Sequence, residues 1–219
     1  MEHVMSARRP NELWSWDISG PKGPARWRSH HLYAILDVFG RYVVGWTVQE
    51  RESAGVAEAS IAQATEQQAI GRDRLTVHAD RGPSMRSKPV AFLLADLGVT
   101  KTHSRPYTSN DNPYSEAQFK TLKYRPAFPA RSEPLEHAGE FCRSFFRWCD
   151  HEHRHSGIGL MTPAAVHHGR AKQTHAARQA VLPAAYAANP ERFVRGAPQP
   201  PPLPTAAWIN KPETEEVAH

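Results

Sequence analysis

Apolar residues in the first half of the chain fall into short runs of strand length, and those in the second half recur at helical spacing. Leu13–Ser19, His31–Val38 and Tyr42–Gln49 are rich in aromatic and β-branched residues and read as strands. The last two are joined through Gly40-Arg41, which predicts an antiparallel hairpin. Ser53 can cap a helix running to about Ala69, with Ala57, Ile61, Ala64 and Gln68 on one stripe. Leu75–His78 is short and apolar, as a buried strand is, and together with the antiparallel hairpin it implies a mixed sheet. Ser87 then caps a helix whose Val90, Leu93, Leu94 and Leu97 follow the i, i+3, i+4, i+7 template, with Gly98 as its stop. Val99–His103 makes a fifth strand, and a helical stretch covers Tyr114–Lys123.

Beyond it, Ser132 and Pro134 mark a helix start, and Leu135, Ala138, Cys142, Phe145 and Cys149 form a stripe extended by Phe141 and Trp148. Thr162-Pro163 is a second cap-and-start pair, followed by shorter alanine-rich helical pieces to about Ala188. From Gly196 to Pro212 prolines dominate, with Pro200-Pro201-Pro202 favouring an extended conformation. The reading divides the chain into a lead (1–9), a core (10–170), a helical extension (171–195) and a loosely held proline-rich tail (196–219).

A chain of 219 residues accommodates one well-buried core with appendages. It has no apolar run of membrane-spanning length and no basic-then-apolar leader, so a cytoplasmic protein is expected. Cys142 and Cys149 fall on one face of a helical pattern and read as core residues. The chain holds 13 histidines, but no cysteine stands at zinc-ligand spacing from them. A net charge of +5 favours a polyanionic partner, and its distribution is more telling. Between Lys101 and Arg131 there are six Lys or Arg against two acids, Asp111 and Glu116. A cluster of carboxylates acting on a phosphate backbone needs such neighbouring cations.

The candidate chemistry lies in three acids. Asp17 ends the aromatic run Leu13-Trp14-Ser15-Trp16, Asp80 follows the buried strand within His78-Ala79-Asp80-Arg81-Gly82, and Glu116 opens a helix, with 35 residues between the last two. Taken singly, each has a plain structural reading: a strand-end acid usually caps a turn, and a first-turn glutamate complements the helix macrodipole. On the helix, Lys120 and Lys123 fall within about 40° and 20° of Glu116 at 100° per residue, so one face presents a carboxylate and two cations. Arg81 and Arg105 are further candidates for phosphate contacts, and Tyr107–Pro113 reads as a mobile loop at the mouth of the site. Asp37, His78 and the tryptophans Trp14, Trp16 and Trp46 read as structural, while His153, Arg154 and His155 serve equally well as DNA contacts or as anchors for the C-terminal helices.

These acids, with Tyr33–Arg41 leading into Val44-Gly45-Trp46, Ser109-Asn110-Asp111-Asn112-Pro113, Thr121-Leu122-Lys123, His153–Leu160 and Thr162-Pro163-Ala164, carry a resemblance. From about Pro10 to about Arg170 the chain resembles insertion-sequence transposases with an integrase-like core and an Asp-Asp-Glu triad, although Ala79 stands where the family usually has Ser. The order βββαβαβα suits a ribonuclease H-like α/β domain, a mixed five-stranded sheet flanked by helices and followed by a helical C-terminal extension, and the resemblance implies that same fold. It also implies metal-dependent DNA cleavage and strand transfer, with Mg²⁺ or Mn²⁺, as two ions, held by Asp17, Asp80 and Glu116, and with Lys123 on the terminal DNA. The expected partners are transposon ends, target DNA and other copies of the chain. Members normally carry helix-turn-helix segments ahead of the core; here the core begins close to Met1, so a helix-turn-helix partner or a missing N-terminal region is expected to recognise the ends. The alternatives are a ribonuclease H-like nuclease and a decayed remnant that binds DNA without cutting.

Overall fold

The computed structural model describes residues 4–19, 30–105, 111–126, 128 and 134–212. Its centre is a five-stranded sheet in the order β4-β3-β2-β5-β6, formed by β2 (Leu13–Ser19), β3 (His31–Asp37), β4 (Val43–Gln49), β5 (Thr76–Ala79) and β6 (Thr100–His103). The first three are antiparallel; β5 pairs in parallel with both β2 and β6. With α1 (Ala54–Gln67), α2 (Lys88–Asp96) and α3 (Pro113–Lys123) this is the expected βββαβαβα order and mixed sheet.

Alternation along the strands sorts side chains into two cores. Trp14, Trp16, Tyr33, Ile35 and Val44 pack on the α1 and α2 side with Ile61, Ala64, Val90 and Leu94. Leu32, Ala34, Leu36 and Val43 face the other way, onto Phe119 and Leu122 of α3 and Phe145 and Phe146 of α4 (Leu135–His151). Trp46 packs its ring on Phe146, 5.3 Å between centroids. A central strand buried on both faces accounts for the near-continuous apolar run Leu13–Trp16.

Local details follow the chemistry of the turns. The Ser53 hydroxyl accepts from the Val56 N–H at 3.2 Å and caps α1, whereas Ser87 caps α2 through its backbone conformation only. The buried Asp37 accepts from the Gly40 N–H (2.7 Å) and the Asn11 N–H (3.0 Å), which fixes the β3–β4 turn and confirms its structural reading. Cys142 and Cys149 are buried and unpaired, their thiols pushed up to about 12 and about 11 by desolvation.

The C-terminal part departs from expectation. After α5 (Pro163–His167), one helix of 18 residues, α6 (Ala171–Ala188), replaces the short pieces, and it runs through Pro183. Within the proline-rich segment, expected to be loosely held, the stretch around residues 207–209 is anchored. Ala207–Ile209 forms β7, antiparallel to β1 (Met5–Ala7), and Ala207 and Ile209 are buried against Leu13, Val38, Ile158 and Met161. Three-residue strands carry no periodic signal, and pairing across about 200 positions is not local.

Candidate active site

In the parallel pairing of β2 with β5, Trp16 stands opposite Ala79, so Asp17 and Asp80 lie one step further along at the same end of the sheet. Asp17 points to the face covered by α3, because Ala34, its partner on β3, belongs to that core. Glu116 comes from the first turn of α3. All three acids line one open cavity of about 720 Å³, together with Lys120, Lys123, Phe119, His31 and Glu52.

Electrostatics couple the acids. Asp17 is pushed up to about 7, first by burial and then by repulsion from Asp80 and Glu116, against the Ile18 N–H and Lys123. Glu116 is raised by burial and by Asp80. Asp17 Oδ1 accepts from the Ile18 N–H at 2.7 Å, and Asp80 Oδ1 accepts from the Ser104 hydroxyl at 2.6 Å. Asp17 and Asp80 are thus each turned to a local partner, and among the described residues no group of three His, Cys, Asp or Glu side chains is placed to hold a metal ion. A set of three mutually repelling carboxylates is nonetheless the donor chemistry that hard divalent cations take.

A buried polar network fixes the elements that carry these acids. The Ser15 hydroxyl donates to Asn112 Oδ1 and so must accept from the Ser115 hydroxyl, which joins the Asp17 strand to the start of the Glu116 helix. Asn112 Nδ2 also donates to the Trp16 carbonyl at 3.3 Å. His78 Nε2 lies 2.8 Å from the Asp111 carbonyl; a carbonyl only accepts, so that nitrogen carries the proton and Nδ1 accepts from Thr102. Burial lowers the His78 pKa and keeps the ring neutral, in keeping with a packed histidine.

The expected basic residues divide. Lys120 and Lys123 line the cavity, while Arg81 and Arg105 do not. Arg81 Nε donates to the Ser104 carbonyl at 3.0 Å. Arg105 is spent on Asp111, with Nε and NH2 donating at 2.9 and 2.8 Å to its two oxygens, and this holds the Asp111 carboxyl well below the usual range. Of the expected mobile loop, Tyr107–Asn110 lies outside the described residues, whereas Asp111 and Asn112 are only 2% and 1% exposed. His153 packs on Trp148 (4.6 Å between centroids), and the His155 N–H bonds the Met161 carbonyl, which favours anchoring over DNA contact. Sequence reasoning missed Ser15, Ser104, Asp111 and Asn112 as organisers, and Glu52 and His31 as residues of the mouth. The one available signal was the polar Ser15 inside an aromatic strand.

Two integrase core domain families match the sequence, one over residues 7–109 and the other over 97–163. The chain belongs to the integrase core domain family. Among curated members, it is 25% identical over 171 residues to the transposase for insertion sequence element IS904 of Lactococcus lactis, covering 74% of this chain and 64% of that one. It is 26% identical to the putative transposase InsK for IS150 of Escherichia coli, over 56% of this chain and 42% of that one. The chain therefore spans less than two thirds of the length of these relatives. The fold is likewise that of integrase cores and is ribonuclease H-like. The intasome of simian T-cell lymphotropic virus, in complex with PP2A regulatory subunit B56 gamma, matches with a TM-score of 0.58 at 18% identity, over 76% of this chain and 57% of that one. The HTLV-2 integrase catalytic core domain in complex with magnesium, in its trimeric form, matches with a TM-score of 0.52 at 15% identity, over 73% and 98%.

Proposed function

We propose that this chain is the catalytic core of a DNA transposase, which cleaves DNA at the ends of an element and transfers the freed 3′ ends to target DNA. The observation that carries this is the meeting of Asp17, Asp80 and Glu116, from two strands and a helix, in one cavity that Lys120 and Lys123 also line. The catalytic unit is taken as residues 10–170, with 171–195 as a helical extension.

In this reading Asp17, Asp80 and Glu116 hold Mg²⁺ or Mn²⁺, expected as two ions, which when bound supply an activated nucleophile and neutralise charge on the reacting phosphate. Ser104 keeps Asp80 oriented, and Ser15 and Asn112 hold the Glu116 helix against the Asp17 strand. Lys123, close enough to Asp17 to lower its pKa, and Lys120 bind the DNA backbone beside the reacting bond. Phosphate contacts orient DNA without reading it, so recognition of the ends falls to another surface, expected on a helix-turn-helix partner or region. An element has two ends, and joining both calls for at least two copies of the core. Among the described residues no helix is long and apolar enough to cross a membrane.

Two measurements test the reading. Millimolar Mn²⁺ should raise the melting temperature of the chain, since binding to the folded state alone stabilises it, and Asp80→Asn should remove most of that gain. A mutant that responds to the metal as wild type does would mean that the carboxylates do not share a site. Lys123→Ala should weaken binding to DNA of any sequence and reduce the slope of log affinity against log salt by about 1. Weaker binding with an unchanged slope would assign Lys123 to packing instead.

A further inference from the structure

The segment around β7 lies outside the residues matched by the integrase core families, yet it touches the start of the helix that bears Glu116. The Trp208 carbonyl accepts from the Tyr114 hydroxyl at 2.6 Å, and Asn210 Nδ2 donates to Asp111 Oδ1 at 3.0 Å. Tyr114 is the second residue of α3, and its ring lies under the Arg41 guanidinium, 3.8 Å from the centroid. Asp111 directly precedes Asn112, the N-cap of α3, and its carbonyl takes the His78 hydrogen bond from β5. The opening of α3 is therefore gripped by β5 from one side and by β7 from the other.

We infer that β7 and the residue after it form a clasp that positions the Glu116 helix, with Trp208 (through its carbonyl) and Asn210 (through its amide) as positioning residues for the site. The inference rests on the catalytic reading above. Asn210 has φ +53°, a left-handed conformation that asparagine adopts far more readily than most residues, so the turn that aims the amide at Asp111 depends on residue type. Glu116 sits in the first turn of α3, the turn most prone to fray, so loosening its anchors displaces the carboxylate before it unfolds anything else. β7 in turn is secured by Ala207 and Ile209 in the core and by its pairing with β1, which ties the C-terminal segment to the geometry of the acids.

The test uses the full chain with three substitutions, the first two combined in one variant and the third as a control. Asn210→Gly keeps the left-handed backbone and removes the amide, Tyr114→Phe removes the hydroxyl, and Leu203→Ala trims the same hydrophobic cluster without removing a hydrogen bond to α3. Each is read by hydrogen exchange over residues 113–119, by calorimetric affinity for Mn²⁺ alone, by melting temperature and by strand transfer on preformed ends. Asn210→Gly combined with Tyr114→Phe should speed exchange at the start of α3 and weaken Mn²⁺ binding, each by about tenfold, the scale of losing outer partners of metal ligands, with joining reduced in step. Leu203→Ala, compared at a similar loss of melting temperature, should leave both unchanged. Unaltered exchange in the double variant overturns the clasp. Faster exchange with wild-type Mn²⁺ affinity reduces it to a structural contact and overturns the positioning role, as do equal losses in Leu203→Ala. If wild type itself binds no Mn²⁺, the catalytic reading fails and takes the positioning role with it, an outcome separable because α3 exchange still reports whether the clasp exists.

Discussion

Glu116→Gln is expected to abolish strand transfer in Mn²⁺ while leaving DNA affinity near wild type. On the proposed function, the substitution preserves size and removes one of three anionic metal ligands. Loss of an outer partner of a metal ligand already costs 10- to 100-fold, so loss of the ligand itself should cost on the order of 100-fold or more. The fold should survive, because a first-turn glutamate contributes only about 0.3–1 kcal/mol through the helix dipole. Lys120 and Lys123 remain to bind the backbone. Labelled preformed ends assayed with wild type and mutant side by side give the answer. Equal activity in the two proteins would mean the joining is a contaminant's, and would leave a binding-only protein as the better account.

The second large effect concerns Asp150, whose role is in stability. It is buried near the C-terminal end of α4, accepts one hydrogen bond from the Val43 N–H at 3.1 Å, and is pushed up to about 8 by desolvation. The folded pKa lies above the unfolded one, so its contribution to stability is fully present below pH ~4 and is lost as pH rises through about 8. At about 1.4 kcal/mol per pH unit the loss approaches several kcal/mol at alkaline pH. Asp150→Asn keeps an acceptor for Val43 without a charge, so it should be more stable than wild type at pH 8, and the gap should close towards pH 5. Urea unfolding at the two pH values measures this. A gap independent of pH would show that the carboxyl is solvated in the folded protein.

The elements of the sheet and its flanking helices were legible because burial on a face imposes a period, two along a strand and 3.6 along a helix. The pairing of Glu116 with Lys120 and Lys123 was legible for the same reason, since spacing alone puts them on one helical face. Placement of the other cations was not. Arg105 looked available for phosphate, but charge in a sequence does not reveal that a carboxylate six residues away, Asp111, will occupy it. Asp111 and Asn112 read as loop because turn formers have no period, yet tertiary contacts bury both and make them organisers of the site. Glu52 entered the mouth unannounced, as an acid just ahead of a helix cap.

The sequence by itself determined the five strands of the central sheet, the helices that flank it, the separate settings of the three acids and the cationic face beside Glu116, all of which follow from local backbone geometry. Only the tertiary structure decided that the parallel register sets Asp17 beside Asp80, that Ser15 and His78 lock the Glu116 helix to two strands, and that the C-terminal segment returns to pair with Met5–Ala7. These contacts join residues tens to hundreds of positions apart, and whether they form depends on the free energy of the assembled core, which no local pattern encodes.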